Sequence, residues 1–112
     1  MQKQALLDYQ EFNNEKFTKR IIFKEGESTV FVLNFEPGQK LPAHKHPGTN
    51  VYLLVLQGEG TLTIDGNEVP IVKDDVVLCG GEEEFAFANG SSNTSLYVML
   101  NKIPDDRYAQ NI

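Results

Sequence analysis

A chain of 112 residues with 40% apolar and 10% aromatic residues has the length and composition of one folded globular domain, which argues against disorder. Sixteen Asp and Glu against ten Lys and Arg leave a formal charge of −6 with no basic stripe, which argues against a nucleic-acid partner. No segment approaches the ~20 apolar residues of a membrane helix, and the opening MQKQALLDYQEF lacks an apolar leader run, so a soluble cytoplasmic protein with no membrane partner is the expectation.

Residues 4–13 are read as a short helix or an irregular lead-in. Strand-type patterns dominate beyond it. FTKRIIFK (17–24) and STVFVLNF (28–35) flank a Gly-centred turn, and the second is rich in β-branched and aromatic residues. Pro37-Gly38 closes that run. Further strands are expected over 40–46, 51–57 and 60–64. Asp65-Gly66 is a two-residue hairpin signal leading into 68–72. Shorter strands follow near 75–78 and 85–88, and TSLYVMLN (94–101) is the last. Short strands with turn signals every eight to twelve residues predict an all-β sandwich or barrel. The whole chain reads as one domain: lead-in 1–16, β region about 17–101, tail 102–112.

Two strands do not alternate. Val51, Leu53 and Val55 fall on one face of their strand, while Tyr52, Leu54 and Leu56 fall on the other; residues 96–100 are also apolar on both faces. A second sheet, the lead-in or another subunit must cover the outer side, and a homodimer is expected. Tyr52 and Tyr97 are then expected to face outward.

The only two histidines, His44 and His46, are spaced i, i+2. On a strand they project from one face and can converge on a divalent Fe, Mn, Zn or Ni ion. Two ligands make a weak site, since a catalytic centre ordinarily has three. The plainer alternative is two surface histidines beside a turn. Cys79, alone in the chain, cannot form an intrachain disulfide and is read as a buried, inert thiol. The acidic runs Asp74-Asp75 and Glu82-Glu83-Glu84 are read as solvated turns unless one acid reaches the histidines.

Gly38, five residues, His44-Lys45-His46, eleven residues and Gly58 resemble the first motif of the cupin superfamily, Gly-x5-His-x-His-x3–4-Glu-x6-Gly. The flanks PGQKLPAHKHPG and VLQGEGTLTIDG are similar as well. This resemblance spans about 31–100 and implies a small antiparallel β-barrel, a double-stranded β-helix or jelly roll, open at one end over a pocket. The departures are specific. The motif glutamate falls at Asn50 or Val51, neither a carboxylate. The second motif, Gly-x5-Pro-x-Gly-x2-His-x3-Asn, has no histidine here: aligning Gly81 puts Glu84 at that position, and aligning Asn89 puts Phe85 there.

Three readings follow from the resemblance. In one, His44, His46 and Glu84 hold a divalent metal as a two-histidine, one-carboxylate triad, in an oxygenase or isomerase acting on a small organic molecule. In another the metal is lost and the pocket, lined by Asn50, Val51, Leu53, Val55, Phe85 and Phe87, binds or senses a small molecule without catalysis. In the third the site is vestigial. Fold alone does not choose among them.

Overall fold

The computed structural model describes residues 1–102, so the expected tail lies outside the described residues but for Lys102. The lead-in holds one 3-10 turn, Leu6–Tyr9, and no longer helix. Nine strands follow: β1 (Thr18–Glu25), β2 (Ser28–Phe35), β3 (Lys40–His44), β4 (Thr49–Gln57), β5 (Glu59–Ile64), β6 (Asn67–Val72), β7 (Val76–Cys79), β8 (Phe85–Asn89) and β9 (Thr94–Lys102). No helix among the described residues is long and apolar enough to cross a membrane.

The strands form two antiparallel sheets, a five-stranded one in the order β1-β2-β9-β4-β7 and a four-stranded one in the order β3-β8-β5-β6. The sheets face one another as a jelly roll and are not joined by hydrogen bonds into a continuous barrel. The expected hairpin at Asp65-Gly66 is present. Both residues have positive φ, 48° and 83°, the combination a two-residue turn needs to match the twist of its strands.

Alternation decides which side chains meet between the sheets. On β8, Phe85, Phe87 and Asn89 are buried while Ala86 and Ala88 are only half-buried. On β4, Val51, Leu53 and Val55 are buried. They join Phe31, Leu33 and Phe35 of β2, Leu62 of β5, Ile71 of β6 and Leu96 and Val98 of β9 in one core. Phe35 stacks on Phe17 with ring centroids 5.1 Å apart and meets Phe87 at 4.9 Å, a chain of aromatic contacts between the sheets.

The outer side of β2 is covered by the lead-in. Asn34, fully buried, donates its amide to the Tyr9 carbonyl at 2.8 Å and to Thr18 Oγ1 at 3.1 Å. Its own Oδ1 accepts from Ser95 Oγ at 2.7 Å. One asparagine therefore ties the lead-in, β1 and β9 together with every polar group satisfied. The lead-in does not extend this cover across the sheet. Tyr52, Leu54, Val76, Leu78, Tyr97 and Met99 line an open depression of about 380 Å³ on the outer face, and Val76 and Leu78 are 77% and 59% exposed. Their registry makes them one patch: Tyr52 sits opposite Leu78 and Met99, and Leu54 opposite Val76 and Tyr97.

Candidate functional site

Between the sheets, at one end, lies a cavity of about 250 Å³. Its walls come from both layers: Phe31 and Leu33 of β2, Val51 and Leu53 of β4, Leu96 and Val98 of β9, and across from them Leu41, Leu62, Phe85 and Phe87. Three polar side chains reach it, His44, His46 and Lys19.

The two histidines converge, though not by simple strand alternation. β3 ends at His44, and its pairing with β8 is irregular between Leu41 and His44. His46 lies in the following loop, where its N–H donates to the Gly81 carbonyl at 3.0 Å and its carbonyl accepts from Thr49 N–H at 3.0 Å. The close approach requires a glycine on the other side. A Cβ on Gly81 would run into the carbonyl oxygens of His46 and Thr49 and the Thr49 amide. So placed, the imidazole centroids are 5.0 Å apart, with the Phe85 ring against both, at 4.3 Å from His44 and 5.8 Å from His46.

His44 Nδ1 lies 2.7 Å from the Pro42 carbonyl oxygen. A carbonyl only accepts, so Nδ1 carries the proton and Nε2 is left as an acceptor. Burial, and next the charges of His44 and Lys19, push the pKa of His46 below its ordinary value. Lys19 belongs to β1, opposite Leu33, with its ammonium 4.5 Å from the centre of the Phe31 ring. That cation–π contact holds the charge against the cavity wall.

Of the residues expected at the site, His44, His46, Val51, Leu53, Phe85 and Phe87 are brought together. Glu84 is not among the lining residues. It immediately precedes Phe85, and since Phe85 faces inward, alternation turns Glu84 out to an exposed position. Its backbone N–H and carbonyl are tied to Asp65, the N–H donating to Oδ1 at 2.9 Å and the carbonyl accepting from the Asp65 N–H at 2.8 Å. Asn50 and Val55 also lie outside the lining. Asn50 has the opposite parity to Val51 and sits across from Asn101, and Val55 is wholly buried farther down the core. The residues that sequence reasoning missed are chiefly Lys19, Phe17, Phe31 and Leu33. Phe17-x-Lys19 and Phe31-x-Leu33 each carry the period-2 signal, but only the pairing of β1 with β2 tells which face is inward.

A three-ligand metal centre does not fit this donor set. Two imidazoles reach the cavity with no carboxylate or thiol beside them. Among the described residues no group of three His, Cys, Asp or Glu side chains is gathered closely enough to hold an ion.

A search of curated proteins finds no match. Among solved structures, the protein TT1209 of Thermus thermophilus is similar with a TM-score of 0.85 at 22% identity, over 93% of this chain and 100% of that one. An RmlC-like cupin protein of Desulfovibrio desulfuricans matches with a TM-score of 0.81 at 21% identity, over 90% and 96%. A predicted oxalate decarboxylase of Thermotoga maritima matches more loosely, at 0.63 and 20% identity, over 83% and 99%. Such likenesses establish the fold. The family model described as the cupin domain matches residues 31–100, the segment that carries both histidines and most of the two sheets, and the chain belongs to the cupin family.

Proposed function

We propose that this cupin binds a small organic molecule directly, with His44 and His46 contacting the ligand themselves rather than through a protein-held metal. One observation carries the reading: the apolar cavity is lined by two imidazoles and a lysine as its polar groups, while Glu84 lies outside it. An apolar chamber with a few convergent polar groups is what a small-molecule site requires. His44 Nε2 is an acceptor for a ligand proton, and the Phe85 ring holds both imidazoles in place. The test is metal content by inductively coupled plasma mass spectrometry, on untagged protein grown with iron, manganese, zinc and nickel. Well under one equivalent, unchanged in His44→Ala, is expected. Near-stoichiometric metal lost in that variant would overturn the reading in favour of an ion-dependent oxygenase or isomerase.

The outer apolar patch supports a homodimer. None of the residues lining it is charged, so it offers nothing to a charged partner, whereas a second copy meets it with a matching surface. Sedimentation at micromolar concentration is expected to give twice the 12.6 kDa chain mass, falling to the monomer in Leu78→Asp. A wild-type protein sedimenting as a monomer would remove the dimer.

A further inference from the structure

Among the described residues, the ionisable groups lining the cavity, Lys19, His44 and His46, are all basic. This is not for want of acids, since the chain has sixteen, and Glu82-Glu83-Glu84 stands directly before the cavity residue Phe85. The acids are turned to the outside or into turns: Glu83 accepts the Gly80 N–H at 2.8 Å, and Glu82 and Glu84 are exposed. Lys19 takes part in neither ion pair found among the described residues, Arg20–Glu11 and Lys102–Glu27. Its ammonium is instead held at the Phe31 face, close enough for its charge to act on His46. The rest of the wall is hydrocarbon, much of it the rings of Phe31, Phe85 and Phe87. The chamber therefore carries a positive charge beside the His46 imidazole in an apolar surround, where a charge-assisted hydrogen bond is stronger than in water.

Building on the direct-binding reading, we propose that the ligand is a small organic carboxylate with a flat apolar body, its carboxylate held by Lys19 with a His46 N–H as the second donor and its body lying among Phe31, Phe85 and Phe87. One cation matches a single negative charge. A cavity of about 250 Å³ lies just below the roughly 300–1,000 Å³ of drug-sized sites and suits a one-ring molecule. Aromatic walls suit an aromatic or conjugated body.

The experiment titrates the full chain, without added metal, with matched pairs of one-ring acids and their amides (phenylacetate with phenylacetamide, cinnamate with cinnamamide, benzoate with benzamide). Binding is followed by NMR shifts of the Phe85, Phe87 and histidine ring signals. The acids are expected to bind at least about tenfold more tightly than the amides. Lys19→Met is expected to remove that preference, the acids falling to no better than their amides, and Lys40→Met, outside the cavity, to leave the preference unchanged. Equal affinity for acid and amide, or a preference surviving in Lys19→Met, would overturn the carboxylate assignment and leave direct binding standing. No cavity shifts from any pair at millimolar concentration, or shifts only after metal is added, would overturn direct binding and the carboxylate assignment with it.

Discussion

Gly81→Ala is the sharpest perturbation of the site that touches none of its side chains. The added methyl would occupy the space now held by the carbonyl oxygens of His46 and Thr49. Both are backbone atoms, so no side chain can rotate away, and the loop carrying His46 must move. Two hydrogen bonds go with it, His46 N–H to Gly81 carbonyl and Thr49 N–H to His46 carbonyl, each 3.0 Å long. At about 1 kcal/mol each, with an overpacking cost of about 1–3 kcal/mol, the loss comes to about 3–5 kcal/mol. For a domain of this size that is a fall in Tm of very roughly 10–20 °C. Gly80→Ala is the matched control. Its Cβ would meet only Glu83 Oε1 at 3.5 Å, an ordinary contact, and its Tm should stay within a few degrees of wild type. Differential scanning calorimetry of the three proteins measures the stability, and the histidine ring proton shifts report whether His46 leaves Phe85. A Gly81→Ala protein that melts with Gly80→Ala and keeps its histidine shifts would refute the close-approach argument.

Two further outcomes are expected. Asn34→Ala strands the Tyr9 carbonyl and the Ser95 hydroxyl and should cost about 2–4 kcal/mol in urea denaturation. Adding Ser95→Ala, which removes the stranded hydroxyl, should cost less than the sum of the two single changes, and strict additivity would show that the pair is not coupled. The Cys79 thiol is pushed up first by burial and then by the Glu83 charge. The unfolded chain therefore ionises at this thiol before the folded chain does. This group's contribution to stability is full below the unfolded thiol pKa of about 8.5 and declines as pH rises toward the folded value. Cys79→Ala should flatten the fall in stability above pH ~8.5, and Ellman labelling of the native protein should be slow. Rapid labelling at neutral pH would show the thiol to be reactive.

The strands were legible because each carries its own signal: β-branched and aromatic runs such as STVFVLNF, bounded by glycine turns. The pair His44 and His46 was legible from spacing, although the route to convergence was not. His46 is positioned by a loop docked on Gly81, a contact 35 residues away in sequence. The third polar group was invisible for a related reason. Lys19 reads as one of ten scattered basic residues until β1 is laid beside β2. Glu84 erred in the opposite direction. It drew attention by aligning with a histidine position, yet the single residue of register separating it from the inward Phe85 reverses its direction. The outward placing of Tyr52 and Tyr97 followed from parity alone and matches the structure.

The place of β9 in the five-stranded sheet bears on how the molecule is made. It is the last described strand in chain order, yet it lies centrally, bridging β2 and β4, with Ser28 paired to Asn101 and Thr49 to Lys102. Until β9 has left the ribosome, β1-β2 and β4-β7 remain two separate ribbons with unpaired edges and no common layer. Leu96 and Val98, two walls of the cavity, arrive with it. Folding of the five-stranded sheet on the nascent chain is therefore held back until β9 itself has emerged, and closing such distant contacts is slow by nature. A truncated translation product would retain both histidines and have no chamber to hold them.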